Sequence, residues 1–133
     1  MAAASPETLP KPTRVLLVDD HQMLRQSLAK AISVHEDFIV VGEAADGIDA
    51  VEFARELRPD LIVMDVSMPK MNGIEAAKLL KIAIPGIQIV GLSASDSVEI
   101  SNAMLGAGAD AFVSKNDPIE MLMALLRSLP TAC

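Results

Sequence analysis

The chain has 133 residues, of which 51% are apolar and 22% charged, with three Phe, no Tyr and no Trp. That length and balance suit one globular domain, and the scarcity of rings excludes a surface that stacks bases. The formal net charge of −7 argues against a nucleic-acid footprint and against a basic membrane patch, and the single cysteine, Cys133, excludes a disulfide framework or a cysteine-rich metal site.

Residues 1–12 read as a Pro-containing N-terminal tail without the basic start and apolar stretch of a signal peptide. No apolar run approaches a membrane span. A soluble, cytoplasmic protein is expected, with a folded domain over residues 13–129 and a short C-terminal tail over 130–133. Arg14-Val-Leu-Leu-Val18 is a short apolar run that ends in Asp19-Asp20. Runs of this kind suit strands buried on both faces, as in parallel sheets. Leu24, Leu28, Ala31 and Ile32 then repeat at helical spacing. Phe38–Val41 is a second strand. Asp46-Gly47 is a turn, and Ile48, Val51, Phe53, Ala54 and Leu57 carry a second helix that Pro59 ends.

Leu61–Met64 is a third strand, and Met68–Gly73 a loop with turn chemistry. A helix follows over Ile74–Ile82, stopped by Pro85-Gly86. Ile87–Val90 is a fourth strand, Ser97–Leu105 a fourth helix, and Ala111–Val113 a fifth strand. Asp117 caps a last helix whose first position is Pro118 and which runs from Ile119 to about Leu129. Strand and helix alternate through five units, which predicts an α/β fold: a five-stranded parallel sheet, doubly wound, with helices on both faces.

In such sheets ligands bind beyond the carboxyl ends of the strands. There stand Asp19 and Asp20, Asp65, Ser93 and Lys115. Carboxylates brought together raise one another's pKa and need a cation among them. Oxygen donors of this kind select Mg²⁺. A hydroxyl and an ammonium opposite the acids suit phosphate oxygens, so the set is that of phosphoryl transfer. Each residue alone has an ordinary reading: Asp20 as a helix cap, Asp65 as a loop acid, Lys115 as a solvated surface group.

The motifs resemble receiver domains of two-component response regulators, of the NarL/FixJ-like subfamily. They are Val-Asp-Asp-His at 18–21, Val-Gly-Glu-Ala-Ala-Asp-Gly at 41–47, Pro59 to Gly73 with its Val-Met-Asp-Val-Ser-Met-Pro, Leu-Ser-Ala at 92–94, and Gly-Ala-Asp-Ala-Phe-Val-Ser-Lys at 108–115. The resemblance runs from about Arg14 to Leu129. It implies a CheY-like, flavodoxin-like (βα)5 fold with strand order 2-1-3-4-5. It implies that Asp65 accepts a phosphoryl group from a sensor histidine kinase. It implies that Asp20, Asp65 and the backbone carbonyl of Ser67 hold Mg²⁺ directly, with Asp19 acting through metal-bound water. Ser93 and Lys115 would then meet the phosphoryl oxygens, and Ser93 with Phe112 would switch the surface of the fourth helix, fifth strand and fifth helix. Phe112 has no phenolic hydroxyl. Asn116 stands where many receivers have Pro, which leaves a cis peptide after Lys115 without proline's help.

Ser67 and Ser95 flank the route of a hydrolytic water and are too short to orient it, so slow autodephosphorylation is expected. The fourth helix, with Ser and Gly around it, is weakly helical and is expected to depend on packing by Val98, Ile100 and Met104. In the fifth helix Ile119, Leu122, Met123 and Leu126 face the sheet. Met121, Ala124 and Leu125 fall opposite, an apolar patch suited to a partner or to a homodimer. His21 is expected beside the cleft but outside its chemistry, and His35 on the surface. Partners implied are a sensor kinase and an output domain or partner protein, with no direct nucleic-acid binding by this chain and no membrane. The alternatives are an unphosphorylated interaction module of the same fold and a Mg²⁺-dependent phosphohydrolase. Intact acids, Ser and Lys disfavour the first; Ser67, where the second acid of a hydrolase would stand, disfavours the other.

Overall fold

A computed structural model describes residues 11–68, 70–94 and 97–129. Five strands, β1 (Thr13–Val18), β2 (Phe38–Ala44), β3 (Leu61–Asp65), β4 (Gln88–Ser93) and β5 (Ala111–Ser114), alternate with five helices, α1 (Gln22–Ser33), α2 (Gly47–Leu57), α3 (Gly73–Ala83), α4 (Val98–Gly106) and α5 (Ile119–Ser128). All strand pairs are parallel, in the order β2-β1-β3-β4-β5. The expected fold and strand order are those observed.

The apolar runs are buried on both faces, and the period of two divides them. Leu16, Val18, Ile62, Met64 and Ile89 face one core, closed by Ala50, Val51 and Ala54 of α2, Ala76, Ala77 and Leu80 of α3, and Met104 of α4. Val15, Leu17, Leu61, Val63, Val90 and Leu92 face the other, closed by Leu28 and Ile32 of α1 and Leu122, Met123 and Leu126 of α5. Gly91 keeps room between β4 and its cover: a Cβ there would stand 2.9 Å from Met104 Cγ and 3.0 Å from Phe112.

Helix starts follow local chemistry. The side chains of Asp46, Asn72 and Ser97 accept hydrogen bonds from the backbone N–H of Asp49, Glu75 and Ile100, satisfying donors that a helix start leaves over. Asp46 is thus a cap and Gly47 the first helical residue, rather than the two forming a separate turn. At α5 the cap is Pro118, not Asp117, and no side chain caps it. At α1 the cap is His21, also without a side-chain cap bond, so Asp20 is not a helix cap. β2 and β4 run three residues further than their apolar cores, because the ladder with β1 and β3 continues through Ala44 and Leu92. The Lys115–Asn116 peptide is trans.

Two packing expectations change. Val98 is 71% exposed and does not hold α4, which buries Met104 and leans on Ile100. Leu125 is half-buried against the α1–α5 core, so of the expected patch on α5 Met121 and Ala124 are exposed and Leu125 is not. Residues 1–10, Ser95 and Cys133, for which expectations were stated, lie outside the described residues.

Candidate functional site

The carboxyl ends of β1, β3, β4 and β5 bring the expected residues together. Asp20, Asp65, Ser67, Ser93 and Lys115 line a cleft of about 380 Å³, with His21, Val66, Ala94 and Ile100. Asp19 lies behind them, buried, as are Asp65 and Ser93. Asp20 is at the exposed rim. Phe112 is half-buried away from the acids, packed against the α2–α3–α4 core.

Backbone contacts fix the loops that carry these groups. Asp19 N–H donates to the Ala44 carbonyl at 3.0 Å, and Val66 N–H to the Leu92 carbonyl at 2.9 Å. Lys115 N–H donates to the Ser93 carbonyl at 2.8 Å, which ties the fifth strand end to the fourth. Each buried Asp then accepts from the backbone two residues on: Asp19 Oδ1 from His21 N–H at 2.8 Å, and Asp65 Oδ1 from Ser67 N–H at 3.2 Å. These Asx turns fold the loops back and aim the other oxygens inward. At α3, Gly73 is required by close approach, since a Cβ would stand 2.4 Å from the Asp65 carbonyl oxygen.

Lys115 Nζ lies 2.9 Å from Asp19 Oδ2 and 2.9 Å from Asp65 Oδ2. One ammonium thus bridges two buried carboxylates. Burial pushes the Asp65 carboxyl above its ordinary value. The Lys115 hydrogen bond and charge pull it back in part, and the Asp19 charge adds to the rise. Burial alone would lower the Lys115 ammonium, but the Asp19 and Asp65 carboxylates paired with it outweigh that and hold its pKa above the ordinary value.

Candidate ligand atoms of Asp19, Asp20, His21 and Asp65 all lie within 4.8 Å of one another. Asp19 Oδ2 is fully buried and, among the described residues, takes no hydrogen bond of good geometry, with the Lys115 ammonium 2.9 Å away. A buried oxygen in that state has capacity for a cation. Three carboxylates in one cleft are the hard donor set that suits Mg²⁺, so the residues present fit the ion expected of them.

Two contributions were not foreseen. Arg25 of α1 donates from Nη1 to the Asp19 carbonyl at 2.6 Å and from Nε to Glu43 Oε1 at 2.9 Å. It pins the acid-bearing loop to β2. Nothing in its sequence position marks it, because the contact joins a helix to the strand after it. His21 lies in the cleft, not beside it, with Nδ1 3.2 Å from Asp19 Oδ1.

Comparison with known proteins agrees with this geometry. The family model described as response regulator receiver domain matches residues 15–127. The chain belongs to that family. Among curated relatives of this receiver domain, the nitrate/nitrite response regulator protein NarL of Escherichia coli is 40% identical over 116 residues, covering 86% of this chain and 54% of NarL. The response regulator protein VraR of Staphylococcus saprophyticus is 42% identical over 105 residues, covering 78% of this chain and 50% of VraR. The receiver domain thus spans about half the length of these relatives. Among solved structures, the signal receiver domain of the response regulator NarL from Mycobacterium tuberculosis superposes with a TM-score of 0.83 at 32% identity, over 89% of this chain and 96% of that one. The response regulator domain of Thermotoga maritima CheB gives 0.79 at 36% identity, over 88% and 96%. The NarL/FixJ-like resemblance and the CheY-like fold read from the motifs are those of these relatives. Among the described residues no helix is long and apolar enough to cross a membrane.

Proposed function

We propose that this receiver domain is a phosphoacceptor switch in which Asp65 takes a phosphoryl group from the phosphohistidine of a sensor kinase. The observation that carries the reading is the placement of Asp65 Oδ2 against Lys115 Nζ in a cleft shared with Asp19, Asp20 and Ser93. In the transfer an Asp65 oxygen bonds to phosphorus as the phosphorus–nitrogen bond of the donor breaks, and the imidazole leaves with the bonding pair. The product is an acyl phosphate. Lys115 is positioned to pair with one equatorial phosphoryl oxygen and Ser93 to hydrogen-bond another.

Asp20, Asp65 and the Ser67 carbonyl would hold Mg²⁺, with Asp19 in support. The ion would neutralise charge on the transferring phosphoryl oxygens. Before transfer the Lys115 hydrogen bond and charge offset part of the burial that raises the Asp65 carboxyl. After transfer the Lys115 ammonium exchanges one carboxylate partner for the phosphoryl group, and Ser93 follows the phosphoryl oxygen. Phe112, on the next strand beside Gly91, responds to the space that Ser93 leaves, and α4, β5 and α5 carry the change outward. The output is an attached domain or a separate partner. Relatives named as transcriptional regulators, about half of whose length this chain matches, support a transcriptional output for the whole protein; a cytoplasmic location belongs to the same reading. Slow loss of the phosphoryl group, from the short side chain at Ser67, belongs to the same reading.

The test is a titration with beryllofluoride, which mimics a phosphoryl group on a carboxylate. With Mg²⁺ present it should bind the wild-type domain one to one and raise Tm. Without Mg²⁺, or with Asp65→Asn, it should do neither. Stabilisation that survives Asp65→Asn contradicts the assignment.

A further inference from the structure

His21 is the imidazole of the cleft, and the proposed phosphoryl chemistry gives it no task. Its Nδ1 lies 3.2 Å from Asp19 Oδ1, 3.4 Å from Asp20 Oδ1 and 3.4 Å from Lys115 Nζ. These neighbours make opposed demands. The two carboxylates call for a proton on Nδ1, and the ammonium calls for its lone pair. No one tautomer serves all three. Beside it lies Asp19 Oδ2, buried and without a hydrogen bond of good geometry.

One divalent ion answers both conditions. The ligand atoms of Asp19, Asp20, His21 and Asp65 fall within 4.8 Å of one another. Bonds of about 2.1 Å put opposite ligands of one ion about 4.2 Å apart, so small side-chain rotations bring these atoms to a single coordination sphere. We propose that His21 is a nitrogen ligand, through Nδ1, for a late first-row divalent ion such as Co²⁺, Ni²⁺ or Zn²⁺, held together with the acids of the cleft. This rests on the reading that those acids bind a divalent cation. The imidazole changes which one. Mg²⁺ prefers oxygen and keeps its waters, so it gains little from a nitrogen donor. The later metals gain much from imidazole. His21 is therefore a metal-selectivity residue, and such an ion competes with Mg²⁺ for the cleft.

The side chain can be removed without removing a helix cap, because His21 makes no side-chain cap bond on α1 and is 69% exposed. The experiment is calorimetric titration of the metal-stripped full chain with Co²⁺ and, separately, with Mg²⁺. It compares wild type, His21→Ala and His35→Gln, which alters the other of the two histidines. The visible spectrum of bound Co²⁺ is recorded alongside. In His21→Ala, Co²⁺ affinity should fall at least about tenfold more than Mg²⁺ affinity, and the Co²⁺ bands should move toward those of an all-oxygen site. His35→Gln should match wild type. Equal Co²⁺ affinities and spectra in wild type and His21→Ala overturn the proposal, as does a loss confined to His35→Gln. A wild type that binds Co²⁺ through His21 but does not bind Mg²⁺ supports it and instead overturns the Mg²⁺ reading.

Discussion

Lys115 is the residue on which the metal-free cleft depends, because its ammonium bridges the two buried carboxylates, 2.9 Å from each. Replacing it with Met leaves Asp19 and Asp65 buried without a cation. Breaking a buried pair in this way costs up to about 3–5 kcal/mol, and the opening of the cleft to solvent brings the expectation to the lower end. Lys115→Met should therefore lower Tm markedly in EDTA, and millimolar Mg²⁺ should recover most of the loss by binding only the folded state. Asp65 gives a prediction of opposite sign. Its folded pKa is raised, chiefly by burial, so the folded chain holds that proton more tightly than the unfolded chain. Stability is whole below the ordinary carboxylate range and falls as pH rises toward the folded value. At neutral pH without metal, Asp65→Asn should raise Tm, and the gain should vanish as pH is brought below 4 by the ordinary carboxylate scale. A gain that persists in acid would contradict this account. The acids, Ser93 and Lys115 were legible in the sequence because each follows a strand, and strands of one parallel sheet end together. The contacts of His21 and Arg25 were not legible. They depend on how side chains of α1 lie over the cleft and over β2, which no spacing encodes.

Among the elements, the loop between β3 and α3 holds the phosphoacceptor against the sheet, and Gly73 is what lets it close. A Cβ there meets the Asp65 carbonyl oxygen at 2.4 Å and Val66 Cα at 2.9 Å, both backbone. Overpacking against groups that cannot rotate away costs about 1–3 kcal/mol. Gly73→Ala should lose that much in urea unfolding and should weaken Mg²⁺ binding as well. Gly106, where a Cβ meets nothing within 4 Å, is the contrast. It lies in α4, which buries Met104 alone among its residues, whereas α2 buries Gly47, Ala50, Val51 and Ala54. Amides of α4 should exchange faster than those of α2, and Gly106→Ala should slow them, since Ala favours a helix over Gly by about 1 kcal/mol. Element types were legible from period and punctuation. Their ends were less so: β2 and β4 extend past their apolar cores because a neighbouring strand offers hydrogen bonds, and the α5 cap moves from Asp117 to Pro118 because Pro118 takes extended backbone, with ψ of 148°. Exposure on α4 and α5 was misjudged at Val98 and Leu125 for a related reason. Helical spacing tells which residues share a face, and the tilt of the helix on the sheet decides which edge of that face is covered.

At the scale of the whole chain, the receiver domain has two cores, one on each face of the sheet, built almost wholly from aliphatic side chains, Met and Ala. Its fold could be read from the sequence because every level agreed: apolar strands, amphipathic helices, short connections and acids at the strand ends. Its partners could not, since the same sheet and cleft serve many outputs, and the chain matches about half the length of its curated relatives. The claim that joins residue, element and molecule is that Asp65 is a phosphoacceptor. With no Trp to report binding, mass is the direct probe. The protein is incubated with Mg²⁺ and acetyl phosphate, and intact mass and peptide mapping are read for wild type and Asp65→Asn. One phosphoryl group on wild type, mapped to the peptide that holds Asp65 and absent from the variant, is the predicted result. A folded, Mg²⁺-binding wild type that gains no phosphoryl group, or a variant that gains the same one, would contradict it.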